Sequence, residues 1–253
     1  MASSMPVLTF HALDYSPAVT SFSPQVFQHG MAKLHDSGYQ TLSLLEAVDY
    51  LHQEKPFPER YFAITFDDGY QSVFNEAFPV LKRYGMSATV FLTVGERKSL
   101  KQADRLPSFE GRSMLSWGEI REMLCSEIDI GAHTLTHPDL TRLPLEQKEI
   151  EIRESKAIIE DVLGTPVPCF AYPYGQYDNR TLEIVKRHFA CACSNELGLI
   201  NRGSSLYALK RIDAYYLRTD RLFNLMLSSF FPLYIRTRSI PRMIKRTFQQ
   251  VLL

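Results

Sequence analysis

Two adjacent carboxylates and a glycine, Asp67-Asp68-Gly69, follow directly on an apolar run from Tyr61 to Phe66. The glycine permits a tight turn directly after the strand. A lone Asp-Asp-Gly is also ordinary solvated-turn chemistry. Downstream, His133-Thr134-Leu135-Thr136-His137-Pro138 sets two imidazoles four residues apart. Two imidazoles and a carboxylate around an open position form the donor set of hydrolytic zinc sites. Non-haem iron oxygenases use the same donors, so ligand type alone does not select the metal. Pro138 disfavours a helix interior for this pair and places it in a strand-end loop. A third cluster, Phe170-Ala171-Tyr172-Pro173-Tyr174-Gly175, is at the least a turn after a strand. It is also a rigid turn that could aim a backbone N–H at an oxyanion.

The elements that must position these residues are short apolar runs alternating with segments of helical period. Strand-like runs lie at 7–11, 61–66, 88–94, 128–133, 169–172, 190–194 and 207–212. Helical patterns fill 24–36, 42–52, 71–84, 117–125, 145–163, 179–188 and 219–228. Ser116 precedes an acidic first turn at Glu119, as an N-cap does, and Gly164 with Pro166 ends the longest helix. Strands alternating with helices imply a largely parallel sheet, open or closed into a barrel. His11, Asp67, Asp68, His133 and the Tyr172–Tyr174 group all fall at the C-terminal ends of predicted strands. That rim is where a β/α barrel builds its active site.

Bulk properties agree with a globular enzyme and exclude other classes. The 253 residues are 45% hydrophobic and 22% charged, which rules out disordered and collagen-like chains. Zero formal net charge gives no overall attraction to nucleic acid. Cys125, Cys169, Cys191 and Cys193 are too few and too irregular for a disulfide scaffold and are expected to be reduced. Cys191 and Cys193 share one face of their strand. The opening residues show no basic-then-apolar leader pattern, and no run is long enough to span a bilayer. A cytoplasmic location is the expectation.

Taken in order, TFDDGY, HTLTH and FAYPYG resemble the polysaccharide deacetylases that share the NodB homology domain, carbohydrate esterase family 4. The match covers roughly Tyr61 to Arg211. The resemblance implies a distorted (β/α)7 barrel, a divalent ion such as Zn²⁺, and hydrolysis of an N-acetyl group on an amino sugar. Carried across, Asp67 aligns with the catalytic base and Asp68, His133 and His137 with the metal ligands. Tyr174 aligns with the residue whose backbone N–H helps bind the oxyanion. Two departures stand out. Ala171 occupies the place of an arginine that usually pairs with the catalytic aspartate, and no histidine follows His188 to supply the usual late general acid. FAYPYG is instead similar to the branch of poly-N-acetylglucosamine deacetylases. That branch begins with a strand ending in Tyr/Phe-His, matched here by Phe10-His11, and its barrel is circularly permuted. The resemblance thus makes His11 the candidate general acid. Arg211 is the candidate replacement for the missing arginine, although a surface cation beside a strand reads nearly the same.

The simplest division is a barrel domain over 1–229 and a basic amphipathic extension over 230–253. No acidic residue follows Asp220, while Arg236, Arg238, Arg242, Lys245 and Arg246 are interleaved with Phe230, Phe231, Leu233, Ile240 and Phe248. Such a segment suits the surface of anionic lipid, and equally a terminal helix that closes the barrel. The expected substrate is an N-acetylated polysaccharide or lipid-linked saccharide. The alternatives are a small non-carbohydrate amide at the same site, and an inactive metal- or saccharide-binding relative. Tyr70, Trp117, Tyr172 and Tyr177 are candidate walls for sugar rings, or core.

Overall fold

A computed structural model of the chain describes residues 4–96 and 104–240. Seven parallel strands close into a barrel: β1 (Val7–Phe10), β2 (Tyr61–Phe66), β3 (Ala88–Leu92), β4 (Ile128–Ala132), β5 (Cys169–Ala171), β6 (Cys191–Leu197) and β7 (Leu209–Asp213). Neighbours in the barrel are neighbours in sequence, and β1 closes the ring by pairing with both β2 and β7. Leu8 stands opposite Ile64 on one side and Ile212 on the other.

A closed parallel barrel buries both faces of each strand, and period-two alternation sorts the side chains. Leu8, Phe10, Ile64, Phe66, Val90, Leu92, Ile130 and Phe170 point outward into the layer beneath the helices. Val7, Ala63, Phe91, Cys169, Ala171, Cys191, Cys193 and Leu209 form a second core inside the barrel. Cys191 and Cys193 do share a face, and all three barrel cysteines are buried free thiols. Phe91 is fully buried in the lumen, with the Arg211 guanidinium over its ring at 5.9 Å from the centroid. A Cβ on Gly131 would lie 2.4 Å from its ring and 3.0 Å from the Cys169 carbonyl, so only glycine fits there.

The helices start where the sequence offers caps. They are α1 (Pro24–Asp36), α2 (Leu44–His52), α3 (Phe78–Tyr84), α4 (Trp117–Leu124), α5 (Leu145–Leu163) and α6 (Asn179–His188). Reciprocal capping boxes open α2 at Ser43 and Glu46 and α4 at Ser116 and Glu119. Leu44, Ala47, Val48 and Leu51 of α2 pack with the lumen residues, so this helix plugs the barrel. Two expected helices are interrupted. Residues 71–84 split into a wide π turn, Val73–Ala77, followed by α3, because Pro79 has no N–H to continue a regular ladder. Residues 219–228 divide into a short helix, Asp220–Phe223, and a 3-10 turn, Asn224–Leu227. A further helix covers 231–240, with Phe231 and Ile235 buried against the barrel layer. The remainder of the basic segment, with Arg242, Lys245 and Arg246, lies outside the described residues. No helix among the described residues is long and apolar enough to cross a membrane.

Candidate active site

The strand ends converge as the alternation requires. Asp67 follows β2, and its N–H donates to the Phe10 carbonyl at 2.9 Å, fixing it beside the end of β1. Arg211, on the lumen face of β7, reaches across to it. Nη1 and Nη2 each donate to one Asp67 oxygen, both at 2.7 Å. The guanidinium is anchored further by Nε to the Ser194 carbonyl at 3.0 Å and by Nη1 to the Thr65 hydroxyl at 3.2 Å. Both partners of this pair are buried. Burial alone would raise the Asp67 carboxyl. Arg211, helped by His133 and His11, wins and holds it well below the usual carboxylate range. The guanidinium therefore arrives from β7, and Ala171 of β5 has another task. Its carbonyl accepts from His133 Nδ1 at 2.7 Å. That bond fixes the tautomer and leaves Nε2 as the free lone pair.

Asp68, His133 and His137 bring one donor atom each to within 4.8 Å of one another. Asp68 Oδ1 lies 3.5 Å from His133 Nε2 and 3.4 Å from His137 Nε2. It is buried and accepts no hydrogen bond, an arrangement that a dication would complete. Burial depresses His133 to about 3, against the pull of Asp67, so the imidazole is neutral and ready to coordinate. Burial lowers His137 as well. These residues fit a divalent ion.

The backbone is bent hard to achieve this. Asp68 (φ 73°), Thr134 (φ 69°), His137 (φ 58°) and Tyr174 (φ 55°) are all left-handed without being glycine. Each costs about 1 kcal/mol or more, strain that a fold retains where a site needs it. In the turn after β5, the N–H groups of Gly175 and Gln176 are spent on the carbonyls of Tyr172 and Pro173. A Cβ on Gly175 would fall 2.2 Å from the Asn195 nitrogen.

Burial pushes the Asp68 carboxyl up to about 6, with His11 opposing and with Asp67 and Glu110 adding to the rise. A raised acid binds its proton more tightly folded than unfolded. Its cost is therefore complete above about pH 6 and disappears as pH falls toward the ordinary carboxylate value. Asp68→Asn is expected to stabilise the metal-free protein at about pH 7.5, by about 2–3 kcal/mol, with the gain shrinking on acidification. Urea unfolding of stripped protein across pH measures this. A gain that grew toward low pH would contradict the burial argument.

The site opens into a pocket of about 190 Å³ lined in part by His11, Phe109, Glu110, Tyr174, Asn195 and Asp213. His11 Nε2 stands 3.9 Å from Asp67 Oδ2, and its side chain is one-quarter exposed. All seven residues singled out from sequence thus gather at this one pocket. Of the two readings open for the aromatic candidates, the structure gives core for three. Tyr70, Tyr172 and Trp117 are buried in the core, and Tyr177 stacks on Tyr172 at 4.7 Å. The rings at the pocket are Phe109 and Tyr174, which flank His137 with centroids at 4.9 and 4.7 Å. Sequence reasoning also missed Thr65, although its place two residues before Asp67 on a strand puts both on one face. Glu110, in the loop before α4, was missed too. It lines the pocket and accepts from the Tyr70 hydroxyl at 3.1 Å.

The polysaccharide deacetylase family model matches residues 54–189. The chain belongs to the polysaccharide deacetylase family. Asp67, Asp68, His133, His137 and Tyr174 lie inside the matched stretch, whereas His11 and Arg211 lie outside it. YxkH of Bacillus subtilis, which carries the family name, is 32% identical over 82% of this chain and 70% of its own length. The poly-beta-1,6-N-acetyl-D-glucosamine N-deacetylase of Staphylococcus aureus is 27% identical over 69% of this chain, which spans 59% of that relative. Among solved structures, the deacetylase PplD of Streptococcus pyogenes, in complex with acetate, superposes with a TM-score of 0.74. It is 26% identical and covers 84% of this chain and 93% of its own. The closed seven-stranded barrel is the fold of this deacetylase family.

Proposed function

We propose that the chain is a metal-dependent N-deacetylase acting on an amino-sugar polymer or a lipid-linked saccharide, with Zn²⁺ as its ion. The observation that carries this is the clamped Asp67 beside three convergent donor residues at the floor of one open pocket. Asp68, His133 and His137 hold the ion. When bound, it polarises the acetamide carbonyl and acidifies water. Asp67 is kept ionised by Arg211 and is aimed by two parallel hydrogen bonds, so it accepts the proton of the attacking water. The Tyr174 backbone N–H, presented by the left-handed turn, donates to the oxyanion. His11 Nε2, on the pocket side of Asp67, passes a proton to the departing amine. Phe109 and Tyr174 bound the sugar. Acetate and the free amino sugar leave.

Acetate release from N-acetylglucosamine oligomers tests the reaction. Stripped protein is expected to be inactive and to regain release with Zn²⁺ or Co²⁺. A metal-loaded protein that releases no acetate from any oligomer but does deacylate small amides would replace the substrate class.

Residues 1–229 then form the catalytic barrel, and the extension that begins at Phe230 contacts anionic membrane through its exposed apolar and basic side chains. Within the described part, Phe230, Leu233 and Ile240 are 69%, 58% and 50% exposed, and Arg236 and Arg238 lie between them in sequence. Apolar side chains beside cations bind an anionic bilayer surface better than a neutral one. In flotation with vesicles containing phosphatidylserine, the intact chain is expected to rise. The Phe230→Ser/Leu233→Ser variant, which leaves the buried Phe231 and Ile235 in place, is expected to stay below. Equal flotation of the two would remove these residues from the contact.

A further inference from the structure

The loop that carries both histidine ligands has no regular structure of its own, and two of its residues adopt left-handed backbone. A loop under such strain needs external restraint, and one side chain of α5 supplies three bonds of it. Glu151 Oε2 accepts the N–H groups of Leu135 and Thr136 at 2.8 and 3.0 Å, and Oε1 accepts the Thr136 hydroxyl at 2.6 Å. These are residues three and four of the five-residue stretch that runs from His133 to His137. The next residue, Ile152, is buried in the core, so α5 presents Glu151 from a fixed register. The stretch is also tied at its start, where the Val94 and Gly95 N–H groups donate to the Thr134 and Leu135 carbonyls at 3.4 and 2.7 Å, and internally, from the His137 N–H to the Thr134 hydroxyl at 3.1 Å. Glu151 is the side chain that takes the N–H groups of Leu135 and Thr136.

We propose that Glu151 is a positioning residue for the metal site, a carboxylate that seizes the middle of the histidine loop and so fixes the separation and aim of both ligands. The inference rests on the metal-site reading above. Three donors converge on one carboxylate, and no neutral residue of that length offers acceptors for all three without reorienting the Thr136 hydroxyl. Glu151 is neither among the three donor residues nor in the pocket lining. Its effect passes through the loop backbone, and losing such an outer-shell partner typically weakens metal binding by about 10–100-fold.

Two readouts separate positioning from general stability. The first is Zn²⁺ affinity, from competition with a chromophoric chelator. Glu151→Ala and Glu151→Met are expected to bind about 10–100-fold more weakly, with a midpoint of metal-free unfolding close to that of the parent. Thr136→Val, which keeps both amides on the carboxylate, should stay within about three-fold of the parent. The second is amide hydrogen exchange in the stripped parent protein. Leu135 and Thr136 are expected to exchange slowly there although Thr136 is exposed. Unchanged affinity in both Glu151 variants, or fast exchange of both amides in the stripped parent, overturns the proposal. Exchange is read without metal, so it answers independently of whether the site takes Zn²⁺ or the chain deacetylates sugars.

Discussion

Asp67→Asn is expected to lower acetate release by about 10²–10⁴-fold, the usual contribution of a positioned base, while the bound metal is retained. The substitution is nearly isosteric, and Asp68, His133 and His137 are untouched. It changes two things at the atoms that matter. The lone pair that takes the proton becomes an amide N–H, and one of the two Arg211 bonds becomes a donor facing a donor. Metal content by elemental analysis alongside single-turnover release separates loss of the base from loss of the ion. A variant that kept its rate with its metal would take the base role away from Asp67.

Arg211→Leu is expected to destabilise the metal-free fold by about 3–5 kcal/mol, the penalty for stranding one member of a buried ion pair. Asp67 is 4% exposed, so water cannot replace the guanidinium. The pH dependence should also change sign. In the parent, the depressed Asp67 contributes stability above the ordinary carboxylate value, and that stability is lost on acidification. Without Arg211, burial dominates and raises the carboxyl, so this group would favour the fold more as pH falls. Adding Asp67→Asn to Arg211→Leu removes the stranded charge and should recover part of the loss. Arg211→Lys should not rescue, since one ammonium cannot reproduce a fork that also reaches Ser194 and Thr65. Urea unfolding of the four proteins at two pH values checks the whole pattern. Equal stability of parent and Arg211→Leu would show that the pair contributes nothing net.

The residues that meet at the pocket were legible in the sequence because their chemistry is dense and local. Carboxylates, imidazoles and turn formers at strand ends have few other reasons to cluster. Arg211 was legible only as a candidate. Its partner follows a strand two places round the barrel and far away in sequence, and no local pattern shows which strand face will look toward Asp67. Glu151 left no signal at all, being one acid among several on a long amphipathic helix. Tyr172 shows the opposite failure. Ala171 faces the lumen, so period two turns Tyr172 outward into the helix layer, yet its place in a chemical motif invites a role at the pocket. The interruption of 71–84 could have been read from Pro79, because helical periodicity says nothing about whether each residue can donate.

The closing pair of strands has a consequence for how the chain is made. β1 leaves the ribosome before the other six barrel strands, yet one of its two neighbours, β7, is the last of them. Until β7 arrives, β1 shows an unpaired apolar edge, and Asp67 has been gathered beside it without its counter-charge. Long-range parallel closure is slow because the loop entropy comes due before the contacts form. A nascent chain halted before Arg211 would hold Asp67, Asp68, His133 and His137, yet lack the guanidinium that makes the Asp67 charge tolerable in the interior. Completion of the barrel and neutralisation of the buried Asp67 charge are therefore one event.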